Sequence, residues 1–102
     1  MLRLKGSNKM NEQKIIETLE EMILMYNREH RLSALENFNN NETCSKFHLH
    51  TAKTLRISID GISTAVGVEI ENFNDSFEVN TWKNGRLICL ELYYDAIRIS
   101  QR

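Results

Sequence analysis

The hydrophobic pattern of this chain changes period once, and that change constrains the fold more than any other feature. Before Thr43, apolar side chains recur at three- and four-residue spacing; after Thr43, they alternate with polar ones. The first period places apolar side chains along one side of an α-helix, and the second places them on one face of a β-strand. We therefore expect an α+β protein in which one N-terminal amphipathic helix precedes an antiparallel β-sheet.

The predicted helix begins near Asn11, whose short side chain can accept hydrogen bonds from the free N–H groups of the first turn. Its apolar stripe comprises Ile15, Ile16, Leu19, Met22, Ile23 and Tyr26. The helix ends either near residue 30 or near residue 38. The longer alternative is open because the chain contains no proline to stop the helix before the asparagines at 39–41. Residues 1–10 are expected to be a flexible tail, and residues 11–102 a single domain.

The second half of the chain predicts a five-stranded antiparallel β-meander between about residues 46 and 100. Turn signals at Asp60-Gly61, at 72–75 and at Asn84-Gly85 separate its strands. Asn84-Gly85 is the strongest of them, because both residues readily take the positive φ of a type I′ turn. The connections are too short for parallel crossovers, so neighbouring strands are expected to be antiparallel.

The helix stripe and the strand faces are the apolar surfaces long enough to bury each other. We expect a core formed by Leu19, Ile23, Tyr26, Ile57, Val68, Leu90 and Leu92. The meander would then be either a small barrel or an open sheet packed on the helix. Its last strand, 97–99, would leave a short apolar edge, so we expect a homo-oligomer. Of the possible oligomers, we expect a dimer rather than a hexamer.

Residues 55–100 resemble the Sm-like family. The segments 55–61, 67, 70–74 and 77–79 are similar to the first Sm motif, which is an alternating strand, an Asp-Gly or Asn-Gly, a second glycine and an aromatic–acid pair. The segment 92–97 resembles a Tyr-Lys-His-Ala-Ile segment of bacterial Hfq. The resemblance implies a small five-stranded barrel that binds RNA as a ring. However, Tyr94 and Asp95 replace the lysine and histidine that help to hold RNA in that family.

Composition favours a folded, non-membrane protein without a polyanionic partner. The net charge is −1, from 13 basic and 14 acidic residues, whereas nucleic-acid-binding proteins usually carry a basic surplus. The apolar fraction of 41% is that of an ordinary globular domain. Since no apolar stretch could span a bilayer and the first residues lack a signal-peptide core, we expect a cytoplasmic protein.

One short segment carries a pattern typical of recognition. Trp82, Lys83 and Arg86 flank the predicted hairpin turn, and an aromatic residue with neighbouring cations is typical of protein-interface hot spots and of base-stacking platforms. Tyr94 is a fourth binding candidate, at the position of the Hfq-like segment. The alternative for Trp82 is that its ring folds back and covers the end of the barrel.

Cys44, His48 and His50 have a spacing that could present metal ligands, because two histidines two residues apart on a strand share a face. A fourth ligand would have to come from Cys89 or His30. Two solvated histidines are the simpler interpretation. Neither a catalytic cysteine–histidine arrangement with an orienting third residue nor a glycine-rich phosphate loop is recognisable. We therefore expect neither a cofactor nor catalysis.

Together these features favour a non-catalytic protein-binding module. It would be a small accessory or inhibitor protein, of the kind found in phages and mobile elements, that acts by occluding a surface or by assembling with another protein. The alternative is a divergent Sm-like RNA-binding protein.

Overall fold

The computed structural model describes residues 9–100, which form two α-helices followed by one β-hairpin. Helix α1 spans Lys9–Phe38 and helix α2 spans Glu42–Val66. Strands β1 (Ile70–Lys83) and β2 (Arg86–Ile99) form a two-stranded antiparallel sheet. The two helices pack against each other and β2 packs on α1, which gives an elongated molecule of 65 × 27 × 18 Å.

The predicted five-stranded meander is wrong, because residues 42–66 form α2 instead of extended strands. Leu55, Ile59 and Ile62 follow one another at four- and three-residue spacing, which places all three on one side of a helix, whereas Leu55 and Ile59 alone also fit an alternating strand. Ile57, which made the pattern look alternating, is 76% exposed. The small residues that complete the buried side of α2 carry little apolar signal; they are Ser45, Ala52 and Ser63.

Two glycine-containing segments of the predicted meander have a different role in this fold. Asp60-Gly61 lies inside α2, where Asp60 Oδ1 accepts a hydrogen bond from Arg56 Nε at 2.8 Å, one helical turn earlier. Such an i,i+4 ion pair stabilises a helix. Gly67 ends α2 as its C-cap, with the positive φ of 74° that glycine adopts without steric cost. The predicted strand through Gly67 is therefore the end of a helix.

The turns expected at 39–41 and at Asn84-Gly85 are present in the structure, whereas the turn expected at 72–75 is wrong, because those residues lie inside β1. Helix α1 ends at Phe38, Asn40 takes a φ of 60°, and the side chain of Asn41 caps α2 by accepting a hydrogen bond from Cys44 N at 3.4 Å. Asn84 and Gly85 have φ values of 52° and 76°, as a type I′ hairpin requires. Helix α1 begins within the predicted tail, and residues 1–8 of that tail lie outside the described residues.

The core lies where the two helices meet the base of the hairpin. Its buried apolar residues are Leu19, Ile23, Tyr26, Ala52, Ile59 and Ile97. The three predicted residues of α1 are thus buried as expected, whereas of the four predicted strand residues only Val68 packs against this core. Ile57 is exposed, Leu90 and Leu92 lie outside this core on the hairpin, and Val68 packs against it from the end of α2.

Two polar contacts hold α1 and α2 together. The hydroxyls of Ser33 and Ser45 lie 2.8 Å apart in the buried interface, and Ser45 Oγ also lies 3.0 Å from the backbone oxygen of Ser33, to which it can donate. One turn further along α2, His48 Nδ1 lies 2.6 Å from Glu29 Oε2. Because these polar groups are paired, burying them costs little stability.

Candidate protein-interaction site

The β-hairpin is much longer than the part of it that packs on the helices. Each strand has 14 residues, which at about 3.3 Å per residue span roughly 45 Å. At the base, Ile97 belongs to the core, and Ile70 and Ile99 pack against it. None of the described hairpin residues between 71 and 95 belongs to this core. Most of the hairpin therefore lies outside this core.

The strand register sorts the hairpin side chains into two faces, because directly opposite residues share a face and successive pairs alternate. We call one the apolar face. From the pair Phe73–Ala96 near its base to the tip, it carries Phe73, Asp75, Phe77, Val79, Thr81, Lys83, Arg86, Ile88, Leu90, Leu92, Tyr94 and Ala96. We call the other the polar face; it carries Asn74, Ser76, Glu78, Asn80, Trp82, Leu87, Cys89, Glu91, Tyr93 and Asp95.

The centre of the apolar face is a continuous stripe of three cross-strand pairs. They are Phe77–Leu92, Val79–Leu90 and Thr81–Ile88, and all six side chains are only partly buried. The ring of Tyr94 meets the ring of Phe77 edge to face, with their centroids 5.8 Å apart. These side chains cover one another within the ribbon, but they are not part of the core formed with the helices.

The apolar face is cationic at its tip and carries a carboxylate, Asp75, on the base side of its central stripe. At the tip, Lys83 and Arg86 are a directly opposite pair of cations. Towards the base, the Tyr94 hydroxyl donates a hydrogen bond to Asp75 Oδ2 at 3.0 Å, and the N–H of Ser76 donates to Asp75 Oδ1 at 2.8 Å. Burial and then this bond to Asp75 raise the pKa of Tyr94, against the opposing charge of Arg31. Tyr94 therefore stays a hydrogen-bond donor.

The polar face ends in an exposed apolar pair. Trp82 is 71% exposed and Leu87, directly opposite it, is 58% exposed. Tyr93 is also exposed, nearer the base. Solvent-exposed tryptophan and leucine side chains side by side on a rigid strand pair form a small but well-defined apolar patch.

Between this patch and the base, the polar face carries two carboxylates directly opposite each other, Glu78 and Glu91. No basic residue lies on this face of the described hairpin. Like charges in directly opposite positions destabilise a strand pair. Cys89 Sγ donates a hydrogen bond to Glu78 Oε2 at 2.8 Å, and this bond is the largest cause of the raised pKa of Cys89.

The structure separates the binding candidates predicted from the sequence. Trp82 lies on the polar face, whereas Lys83 and Arg86 lie on the apolar face, although all three adjoin the tip. Tyr94 shares the apolar face with the two cations but lies roughly 26 Å from them along the ribbon, at about 3.3 Å per residue. The ring of Trp82 does not fold back over the protein, since it is largely exposed.

Leu87 was missed by the sequence analysis. Residues 82 and 87 are placed symmetrically about the Asn84-Gly85 turn, and a two-residue hairpin makes such residues direct neighbours. The position of Leu87 relative to this turn is therefore the sequence signal that identifies it as the neighbour of Trp82.

The metal-ligand candidates do not lie on a strand. Cys44, His48 and His50 are residues of α2, so the strand face predicted for the two histidines does not exist. The imidazole of His48 contacts Glu29. Within residues 9–100, no group of three or more His, Cys, Asp or Glu side chains is placed to hold a metal ion.

An open cleft of about 360 Å³ lies between the two helices and β2. Part of its polar lining pairs internally: Ser33 contacts Ser45, and Lys46 Nζ lies 3.1 Å from Glu42 Oε1. His30 also lines it; burial lowers the pKa of His30, and the charge of Asp95 offsets part of that effect. The cleft is wide open to solvent, so the hairpin faces are the better candidates for recognition.

Comparisons of the chain with protein-family models, with curated proteins and with solved structures give no match. The resemblance of residues 55–100 to the Sm-like family therefore stays a prediction. Neither of the two described helices combines the length and the apolar character needed to cross a membrane.

Proposed function

We propose that the protein is a non-catalytic protein-binding module and that its recognition element is the distal end of the polar hairpin face. The observation that carries this proposal is the pair of exposed side chains Trp82 and Leu87. Tryptophan is the residue most enriched at the energetic centres of protein interfaces, where its large ring fills a pocket on the partner.

The backbone beneath the pair is well suited to this role. Both residues belong to strands, and the Asn84-Gly85 turn joins them with the positive φ values of a type I′ turn. A tight turn fixes the hairpin end, so little conformational entropy is lost when the side chains bind. Trp82 therefore extends from a rigid support that lies outside the core.

The charges on the polar face define the chemistry of the partner. Glu78 and Glu91 lie roughly 13 Å from the Trp82–Leu87 pair, at about 3.3 Å per residue, and they face each other without an intervening cation. A lysine or arginine of a partner placed between them would relieve their repulsion. The partner that fits is a protein with an apolar pocket bordered by basic residues.

The same carboxylates oppose an RNA partner on this face, because they would repel phosphate groups. A ribbon of this length can cover a substantial part of a partner surface. Occlusion or assembly, as expected of a small phage or mobile-element accessory or inhibitor protein, is the mode of action that this shape supports.

The test compares capture from a lysate of the source cells by three immobilised proteins. These are the wild type, the double variant Trp82→Ala/Leu87→Ala and the matched control Leu24→Ala, which removes an exposed leucine from α1. We expect one protein to bind the wild type and the control, and to bind the double variant more weakly by about 2 kcal/mol or more. Circular dichroism establishes that all three are folded.

Equal capture of that protein by the double variant would contradict the proposal. A second outcome would favour the Sm-like RNA-binding alternative. In that case, salt would remove co-purifying material that absorbs at 260 nm, and Lys83→Gln/Arg86→Gln would abolish its retention.

A further inference from the structure

The apolar face of the hairpin lacks a covering element in the described part of the molecule. Its three central pairs, from Phe77–Leu92 to Thr81–Ile88, lie beyond the core to which the helices contribute. A two-stranded hairpin is marginally stable in water unless its apolar face packs against something. The two strands of this long hairpin pair without interruption over all 14 residue pairs. A covering partner for the apolar face is therefore expected.

The residues of the apolar face are arranged symmetrically about the Val79–Leu90 pair. Two positions towards the tip lies Thr81–Ile88, and two positions towards the base lies Phe77–Leu92. Four positions towards the tip lie the cations Lys83 and Arg86; four positions towards the base lie Asp75 and Tyr94. Groups at equal distances from the centre are thus both uncharged, or else one is cationic and the other is a carboxylate or an aromatic ring.

We propose that this face binds the same face of a second copy of the chain, with the two hairpins antiparallel. A twofold axis that crosses the strands at Val79–Leu90 places β1 over β1 of the second copy and β2 over β2. Lys83 then faces Asp75 of the second copy, and Arg86 faces the ring of Tyr94. Between these contacts, the apolar pairs of the two copies interleave across the axis.

Each of these contacts between the two copies is of an attractive type. Lys83 and Asp75 form an ion pair, and an arginine guanidinium over a tyrosine ring is a cation–π contact. Two twisted ribbons can pack face to face at about 10 Å, with their side chains interdigitated, as in a β-sandwich. The resulting four-stranded sandwich supplies the apolar burial that the isolated ribbon lacks.

Near the base of the hairpin, edge groups that strand pairing would use are already bound. In this hairpin, the outward-pointing N–H of Ser76 on β1 is already bound by Asp75. On the edge of β2, both backbone groups of Ile97 are bound by the side chain of Asn27. These bonds occupy groups that an added strand would need.

The second copy is favoured over a different protein by the charge pattern itself. A partner of unrelated sequence would have to present a carboxylate, an apolar stripe and a cation in matching order, whereas the antiparallel copy presents them by symmetry. The polar face stays outside the sandwich, so the Trp82–Leu87 pair of each copy remains free.

The test uses two full-length variants that carry opposite charge changes. Sedimentation equilibrium at micromolar concentration is expected to give the wild type twice the 12.0 kDa mass of one chain. Asp75→Lys places cations against Lys83 of the second copy, and Lys83→Glu/Arg86→Glu places anions against Asp75. We expect each variant alone to self-associate at least about tenfold more weakly. An equimolar mixture of the two should recover much of the dimer, because position 75 then faces position 83 with opposite charges at both ends of the mixed dimer.

Glu78→Lys is the matched control, since it makes the same charge change on the polar face and should leave the dimer intact. Leu90→Asp places two carboxylates on the twofold axis and should give a monomer that keeps its helical circular dichroism, because Leu90 lies outside the core. A wild type that sediments at 12.0 kDa, or a mixture that stays as weakly associated as its components, would overturn the proposal. Trp82→Ala/Leu87→Ala should remain dimeric, which separates this inference from the proposed recognition role.

Discussion

Asn27 of α1 binds both backbone groups of Ile97 on the outer edge of β2. Asn27 Nδ2 donates to the carbonyl oxygen of Ile97 at 2.9 Å, and Asn27 Oδ1 accepts from its N–H at 2.8 Å. These backbone groups point away from β1, and Ile97 is buried, so water cannot replace the amide. The side chain acts as one residue of an additional strand, and it fixes the base of the hairpin on the helix.

Replacing Asn27 by alanine should therefore destabilise the fold. Each backbone group left without a partner costs about 1–3 kcal/mol. Urea unfolding measures the loss. Asn37→Ala, an exposed position on the same helix, is the control and should change stability by no more than about 0.5 kcal/mol. Similar losses for the two variants would show that the bonds to Ile97 contribute little.

The stability of the protein should fall in mildly acidic solution because of His30. Burial lowers the pKa of His30 below its ordinary value of 6.5, and Asp95 offsets part of this shift. The unfolded chain then binds more protons than the folded chain just below pH 6.5. The contribution of neutral His30 to the free energy of unfolding is thus complete above the pKa of this histidine in the unfolded chain. It is lost as the pH falls through the lowered pKa of His30 in the folded chain.

His30→Gln should flatten this part of the stability profile, measured by urea unfolding at a series of pH values between about 5 and 8. His50→Gln changes an exposed histidine of α2 and serves as the control. The prediction fails if the His30→Gln profile keeps the slope of the wild type.

Cys89 should react with alkylating reagents more slowly than an exposed thiol usually does. The hydrogen bond to Glu78 and the charges of Glu78 and Glu91 keep its pKa above 9.0, and the thiolate is the reactive form. In a Cys44→Ser background, Glu78→Gln should lower the pKa of Cys89 and speed its reaction with iodoacetamide at mildly alkaline pH. Glu36→Gln on α1 should have no effect. An unchanged rate in Glu78→Gln would mean that the carboxylate does not control the thiol.

The hairpin could be predicted from the sequence and the second helix could not. Around Asn84-Gly85 the signal is local: two residues that accept positive φ, between alternating strands such as 77–82 and 87–94. In α2 the local signals conflict. Leu55 and Ile59 fit both periods, Ile57 adds a false alternation, and the chain there contains many β-branched residues. The contact of α2 with α1 decides the outcome, and it runs partly through serine and alanine.

The candidate site shows the same limit on a smaller scale. Trp82 and Lys83 are neighbours in sequence, so they suggested one patch; the strand alternation places them on opposite faces. The faces could be assigned only once the register was known. The symmetry of the apolar face about Val79–Leu90 likewise depends on the pairing of β1 with β2, which the five-stranded meander would not have preserved.

All the surfaces described above depend on α2 being a helix, because only then is the hairpin a free two-stranded ribbon. Ile57 and Ile59 test this directly, since an alternating strand would put both on one buried face, whereas the helix exposes the first and buries the second completely. The free energy of unfolding in urea should fall by about 2–5 kcal/mol for Ile59→Ala. It should change by no more than about 0.5 kcal/mol for Ile57→Ala. Comparable losses for the two substitutions would contradict the helix, and with it the free hairpin.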